Sequence, residues 1–539
     1  MSKKFTYRCG CSFDYDESNG VKSINFDPSI ENINLDCSKT WELISDGNTK
    51  GIFQLESRLG RSMAKKLKPE NIEQLSGLIA ILRPGCLQAY RDGKSVTQHY
   101  IDRKNGEESV DIFHPALEST LMTTYGEMIY QEQAMEIAKN LAGFSLQEAD
   151  MLRKAIGKKK PEEMAKIKTK FIEGADKLKI VTHDEADQIF GWIEKSQRYS
   201  FNKSHSVSYA INGYLSAYAK AHFPKIFFAS YLRFAKDKIN PQDEIKALVQ
   251  NANEMDVMVR PPDIRVLNRY FVIHNGAIHF GLTDIKGVGQ SVFDKLVKLT
   301  QELPKPLDQL SWTEMLFYVL VNINSKAATA LIESGALSHF KKSRTEMLFE
   351  FSLLNSITKK ERGMIMEKIG VFKTLKPALE FLLVSKINKN RRQAVEDLLN
   401  TLKNPPYSLV DGPEWIADRE DALLGCSITC SKVDMYDISM TNTTCRDFKN
   451  GVNHDNIILG GEVDFINVTK TKTGKTPGQE MAFVTIMDQT GSIDSVIFFP
   501  EAYAKYKSVL FNGNVIIVCG NRSKSKDSLI VEKTYVAKT

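Results

Sequence analysis

The stretch Ser145-Leu146-Gln147-Glu148-Ala149-Asp150-Met151-Leu152-Arg153-Lys154-Ala155-Ile156-Gly157-Lys158-Lys159-Lys160 reads as one helix with a basic end. Serine followed three residues later by glutamate is a capping box, in which each side chain bonds the other residue's backbone amide and so starts a helix. Leu146, Ala149, Leu152 and Ile156 then recur at helical spacing and predict its buried stripe. Arg153 falls at the edge of that stripe, Lys154 points further out, and the three lysines close the helix. Cations at a helix C-terminus are favoured by its dipole by ~0.3–1 kcal/mol each, so a solvated helix end accounts for the lysines. Arg153 asks for more, because a guanidinium beside an apolar stripe is suited to holding an anion.

Some forty residues on, Phe201-Asn202-Lys203-Ser204-His205-Ser206 opens a second helix, with an apolar face through Ala210, Tyr214, Ala217 and Ala221. Pro224 ends it, since the residue before proline is pushed out of helical geometry. Ser204 is the expected N-cap. Free amides, Lys203 and His205 then converge at one helix N-terminus, a ready anion site. Two basic helix ends in one helical region point to phosphate handling, although either alone is commonplace.

Downstream the chain changes character twice. Ile285-Lys286-Gly287-Val288-Gly289-Gln290 reads as the hairpin of a helix-hairpin-helix, its glycines letting the backbone turn and approach a phosphate. Val292, Phe293, Leu296 and Val297 pack the helix that follows. Such a hairpin grips the DNA backbone without reading sequence; the plainer alternative is a glycine turn before a helix. A degenerate second copy runs from Asn324-Ser325 to Gly335-Ala336-Leu337. Pro405-Pro406 marks a linker. From Ile457 onward, alternating strands such as Phe483–Asp488 and Ile493–Phe499, broken by Gly, Asp and Lys turns, predict a five-stranded OB-like barrel. Lys470, Lys472 and Lys475 lie in its long first loop, where such barrels hold single strands; a barrel used only for packing is the alternative.

The bulk numbers are permissive. Across 539 residues there are 72 basic and 66 acidic side chains, a net charge of +6, so nucleic-acid binding must come from local clusters. Eight cysteines, irregularly spaced, are too few for a disulfide scaffold. Neither a signal peptide nor a membrane-length apolar run is expected, and a reducing cytoplasm (the host's, for a phage gene) is the natural setting.

Taken in order, these segments resemble the C-family of bacterial replicative DNA polymerases, whose type member is the DNA polymerase III alpha subunit. Gly51-Ile52-Phe53-Gln54-Leu55-Glu56-Ser57 is similar to the family's FQLES signature and Leu82-Arg83-Pro84-Gly85 to its RPGP segment. Tyr125–Gln133, Glu148–Lys160 and Phe201–Ser206 complete the series. The resemblance implies a multidomain, mainly α fold with α+β parts. Its expected divisions are a short N-terminal segment over 1–40, a helical fingers domain over 41–255, and a strand-containing connector with helix-hairpin-helix over 256–345. A helical connector with a possible clamp-binding region over 346–450 and an OB domain over 451–539 follow. It also implies that Arg153, Lys154, Lys203 and His205 face the triphosphate of an incoming dNTP. The family's second arginine is Lys154 here, which keeps the charge and loses the bidentate fork.

The departures shape the expected function. Polymerases of this kind need carboxylates that hold two magnesium ions, and the family carries them in a palm upstream of the matched region. Asp14 and Asp16, alternate residues of a strand, and Asp27 are the only nearby candidates, on a segment too short to fix them. The expectation is therefore a physically split, phage-like replicase: this chain binds dNTP and primer–template DNA, and a palm-bearing partner brings Mg2+. A non-catalytic DNA-binding relic and a shortened polymerase using Asp14, Asp16 and Asp27 are the alternatives. Cys9, Cys11 and Cys37 lack the usual paired two-residue spacing of a zinc site, so zinc is not expected. Glu367-Lys368-Ile369-Gly370-Val371-Phe372 is the nearest segment to a sliding-clamp peptide and lacks the usual glutamine.

Overall fold

The computed structural model describes residues 3–18, 21–157, 161–196, 199–452, 456–471, 477–523 and 528–538. They form two compact units, 1–223 and 224–539.

The first unit opens with an antiparallel meander of Lys3–Thr6, Ser12–Ser18 and Val21–Asn25. Period-two alternation turns Cys11 and Phe13 inward and leaves Asp14 exposed. Phe13 packs edge-on against Phe26, Tyr218 and Phe223. The 20-residue helix Lys203–His222, about 30 Å long by its rise per residue, is the axis of this unit. Ala210, Tyr214, Ala217 and Ala221 are its buried face, against which Ile72–Ile81 and Ser38–Ser45 pack. At Gly213 the helix lies so close to the Phe53 carbonyl that a Cβ would stand 3.1 Å from that oxygen.

Beside this axis Gln131–Ala142, Leu146–Gly157, Pro161–Leu178 and His183–Ser196 form a helical bundle around Ile137, Leu141, Leu152, Phe171 and Phe190. The Ser145 capping box is present: the Ser145 amide donates to Glu148 Oε2 at 2.8 Å and the Glu148 amide to Ser145 Oγ at 3.3 Å. The predicted stripe needs one correction. Leu146 is 67% exposed, whereas Ala149 and Leu152 are buried, as is Ala155; the Ile156 side chain lies outside the described residues. Leu146 is the first residue of the helix, before the turn that meets the bundle.

In the second unit one hydrophobic core runs from Phe228 to Cys426. It is built by helices and a small sheet in which Ala277–His279 pairs with Val272–His274 and Val259–Arg260. The predicted OB barrel is closed. Its strands Ile457–Lys470, Glu480–Asp488, Gly491–Phe498, Leu529–Val536 and Val515–Arg522 follow one another around the ring. The third and fifth strands in sequence pair in parallel, and Pro500–Tyr506 is the helix between the third and fourth. Arg446 to Asp256 at 3.1 Å and Lys449 to Glu254 at 2.7 Å tie Cys445–Lys449, the barrel's lead-in helix, to the end of Pro241–Glu254 and the turn after it. No helix of the described residues is long and apolar enough to cross a membrane.

Candidate nucleotide and nucleic-acid interface

Four segments far apart in sequence meet at the start of the Lys203–His222 helix. Phe201 pairs with the Tyr130 strand segment: its amide donates to the Ile129 carbonyl at 2.8 Å, and its carbonyl accepts from Gln131 at 2.9 Å. Gln133 Oε1 accepts from the Ile129 and Tyr130 amides, fixing that segment. The Arg83 guanidinium stacks 3.3 Å from the Phe201 ring centroid. Beside Arg83, an open recess of about 300 Å³ is lined by Gln54, Ser57, Leu59, Ile79 and Leu82.

The helix start differs from the sequence expectation. Asn202, not Ser204, is the N-cap, with its side chain accepting from the His205 amide at 2.8 Å. The N-terminus is also already partly filled: Glu132 accepts from the Lys203 amide at 2.8 Å and from Asn202 Nδ2 at 2.7 Å. A carboxylate there satisfies the Lys203 amide and favours the helix dipole, so it occupies part of the expected backbone anion site. The side chains remain. Lys203 Nζ lies 2.9 Å from Glu73 and 5.5 Å from the Tyr130 ring centroid. His205 is exposed, with its ring 4.0 Å from that of Tyr209.

Arg153 and Lys154 share one partner, Asp150, at 2.8 and 2.7 Å. Their hydrogen bonds, Lys154's first, hold the Asp150 carboxyl below its ordinary range. Among the described residues no hydrogen bond or ion pair joins Arg153 or Lys154 to Lys203 or His205. Lys158–Lys160 lie outside the described residues. Sequence reasoning missed Asp150 and Glu73, the carboxylates that hold these cations, Glu132 at the helix start, and also Lys220. Fully buried, Lys220 donates to the Asn48 and Lys50 carbonyls at 2.8 Å each, anchoring the loop that leads into Gly51–Ser57.

In the second unit, Gly287 has φ +103° and so needs a residue without a Cβ, whereas Gly289 has ordinary extended backbone with open space around it. Only Gly287 requires the conformational freedom expected of both. Gly289 caps Gln290–Gln301, and a 3-10 turn at Leu282–Asp284, not a full helix, precedes the hairpin. At the expected second copy, Asn324 caps Ser325–Glu333 and Gly335 turns at φ +82°. Lys286 and Lys326 are both exposed, and Lys326 flanks Gly287, which makes it a further candidate that the Asn324-Ser325 match marks. On the barrel, Lys470 ends the first strand, exposed and opposite Glu480; Lys472 and Lys475 lie outside the described residues. Phe465 is 42% and Tyr535 47% exposed on the barrel strands, apolar faces on which bases can stack. In the clamp candidate, Ile369 and Phe372 are buried in the core and Val371 is the one exposed apolar side chain of the segment, so the segment does not present the apolar side chains of a docking peptide.

Residues 16–179 match the family described as "Bacterial DNA polymerase III alpha subunit finger domain", residues 256–347 a helix-hairpin-helix motif, and residues 457–537 an OB-fold nucleic acid binding domain. DNA polymerase III subunit alpha of Aquifex aeolicus is 33% identical over 491 residues, 90% of this chain and 37% of that protein. The subunit of Borreliella burgdorferi is 31% identical over 523 residues, 96% of this chain and 42% of the other. Over nearly its whole length, the chain is similar to part of DNA polymerase III alpha subunits. Against the Bacillus subtilis subunit it is 31% identical over 513 residues and again covers 42% of the other protein. The chain thus spans about two fifths of the length of these relatives.

The alpha-subunit resemblance implies magnesium, which takes carboxylate oxygens. The described candidates do not gather into a two-magnesium site. Asp14 stands exposed on the outer face of a two-hairpin meander. Asp27 accepts from the Ser29 amide at 2.9 Å and from Asn32 Nδ2 at 2.7 Å, closing a turn. Those bonds, the Ser29 amide's first, lower its pKa. Asp16 pairs through its backbone with Ser23, and its side chain lies outside the described residues. Among the described residues, no group of three or more carboxylates gathers to hold a metal ion.

Proposed function

We propose that this chain is the nucleotide-gripping and DNA-holding part of a template-directed DNA polymerase, with the magnesium-binding palm supplied by residues outside these 539. The convergence of Arg83, Tyr130, Phe201 and Lys203 beside the Gln54–Arg83 recess carries the reading: aromatic faces and solvent-accessible cations adjoin a polar recess. Arg153, Lys154, Lys203 and His205 take the triphosphate. Three of these cations now sit on carboxylates, Arg153 and Lys154 on Asp150 and Lys203 on Glu73. A phosphate oxygen exchanges with those carboxylates at little net cost in charge, and the carboxylates hold the side chains near their bound positions meanwhile. Lys286, Gly287 and Gly289, with Lys326, hold the duplex backbone, and the barrel with Lys470 holds the single strand.

Arg153→Ala and Lys203→Ala should each raise the apparent KM for dNTP by roughly 10- to 100-fold in the palm-complemented enzyme, matching ~1.5–3 kcal/mol for a charge-assisted hydrogen bond. Steady-state kinetics beside DNA-binding titrations checks this, with DNA affinity expected within about twofold of the parent, because these residues are assigned to nucleotide and not to duplex. Unchanged nucleotide dependence in both variants overturns the assignment.

Gly289→Val is the cleaner of the two hairpin tests, since its backbone tolerates a side chain and only the approach of a phosphate is blocked. Duplex binding should fall for all sequences alike, and the slope of log K against log salt should flatten by about one unit for each phosphate the hairpin no longer grips. Gly287→Val should in addition lower thermal stability, because φ +103° strains any residue with a Cβ. Fluorescence anisotropy across a salt series measures both variants; a sequence-selective loss contradicts the assignment.

A further inference from the structure

We propose that Cys9, Cys11, Cys37 and His222 form a structural zinc site that fastens the N-terminal meander to the far end of the Lys203–His222 helix. One ligand atom from each lies within 4.8 Å of every other, and Cys37 Sγ stands 3.3 Å from His222 Nε2. Tetrahedral zinc with Zn–S of about 2.3 Å and Zn–N of about 2.0–2.1 Å needs ligand–ligand separations of about 3.4–3.8 Å. Closing this cluster therefore takes sub-ångström side-chain movement. Three sulfurs and one imidazole are a soft donor set that suits zinc and excludes magnesium or calcium.

Each donor is positioned by local structure. Cys9 and Cys11 flank the tip of the first hairpin, where the Tyr7 amide donates to the Cys11 carbonyl at 2.8 Å and Gly10 takes φ +84°. That left-handed glycine lets a one-residue spacing serve where two residues are usual. Cys37 caps Ser38–Ser45, and its own amide donates to the Tyr214 hydroxyl at 3.2 Å. His222 is the last residue of its helix. Its Nδ1 has no hydrogen-bond partner, so Nε2 is the ring's engaged nitrogen, and it faces the sulfurs. Cys11, Cys37 and His222 are 6%, 0% and 3% exposed. Uncoordinated, such a group would leave polar atoms poorly bonded in a dry site. The sequence could not show this site, because the fourth donor lies 185 residues from Cys37.

The meander is where such a fastening is needed. Short segments with few core residues commonly require a metal or disulfide to hold their fold, and among the described side chains of its first hairpin this one buries Cys11 and Phe13. Binding one zinc ion displaces one proton from each thiol and leaves the imidazole neutral, so no oxidant or reductant takes part.

Elemental analysis of the purified full chain tests the proposal, with about one zinc per chain expected. Cys37→Ser and His222→Ala should each lower that content several-fold, while Cys430→Ser, outside the cluster, leaves it unchanged. A variant that fails to fold does not block the test. Cobalt loaded into the metal-stripped parent chain should give the intense visible bands of a tetrahedral ion together with thiolate-to-cobalt charge transfer. The parent's melting temperature should also fall on chelation and recover with zinc. Absence of zinc above background, iron in its place, the weak bands of octahedral cobalt, or equal loss in Cys430→Ser would each overturn it.

Discussion

Given primer–template, all four dNTPs and magnesium, these 539 residues by themselves should bind the DNA and add no nucleotide. Phosphoryl transfer depends on metal ions held in fixed geometry, which align the primer hydroxyl and stabilise the developing charge. Arginine and lysine can seat a triphosphate but donate no ligand to magnesium. The candidate carboxylates do not replace a palm: Asp14 is exposed on a thin meander, and Asp27 is committed to Ser29 and Asn32. Losing a two-metal site removes many orders of magnitude of rate, so the expected rate is background. Primer extension by gel, with and without an added palm-bearing polypeptide, measures it. Extension that appears only with the palm supports the proposed division of labour. Extension by the isolated chain that disappears in Asp14→Asn and Asp16→Asn would instead establish a contracted palm. No extension with a palm shown to bind would favour a DNA-holding protein without catalytic role.

What the sequence disclosed and what it hid divide along sequence separation. The Ser145–Glu148 capping box, the apolar face of Lys203–His222 and the alternating barrel strands are local patterns. Each fixes its own element, because the interacting groups lie within a few residues. Small local errors came from competition between adequate caps: Asn202 reaches the His205 amide, so the helix starts before Ser204. The site's electrostatics were not legible in this way. Lys203's carboxylate lies on another helix at Glu73, and the Glu132 carboxylate at the helix N-terminus is 71 residues from Lys203. Lys220 and the Asn48 and Lys50 carbonyls are likewise joined only by tertiary packing. A pattern of residue types along the chain carries no signal for such pairs; the proposed triphosphate cations come instead from the family resemblance, which carries tertiary information with it.

Glu420→Ala should destabilise the second unit by ~3–5 kcal/mol, the range for breaking a buried ion pair from one side. Glu420 is fully buried on Pro413–Leu424 and collects four donors. Arg344 Nη2 donates at 2.6 Å, the Ile428 and Thr429 amides at 2.6 and 2.8 Å, and the Thr429 hydroxyl as well. Alanine would strand a buried guanidinium and two backbone amides together. Against a typical stability of ~5–15 kcal/mol this is a large share, and the melting temperature should fall by on the order of 10 °C. Arg344→Ala should cost less, because the carboxylate keeps three of its donors. Arg344 also donates to the Glu333 carbonyl at 2.7 Å, at the end of the expected second hairpin's helix. Both variants should therefore weaken duplex binding at temperatures where the unit is still folded. Urea unfolding, monitored by a probe within residues 224–539, ranks the two. An Arg344→Ala cost equal to or above that of Glu420→Ala would show that the ion pair, and not the carboxylate's backbone contacts, dominates this junction.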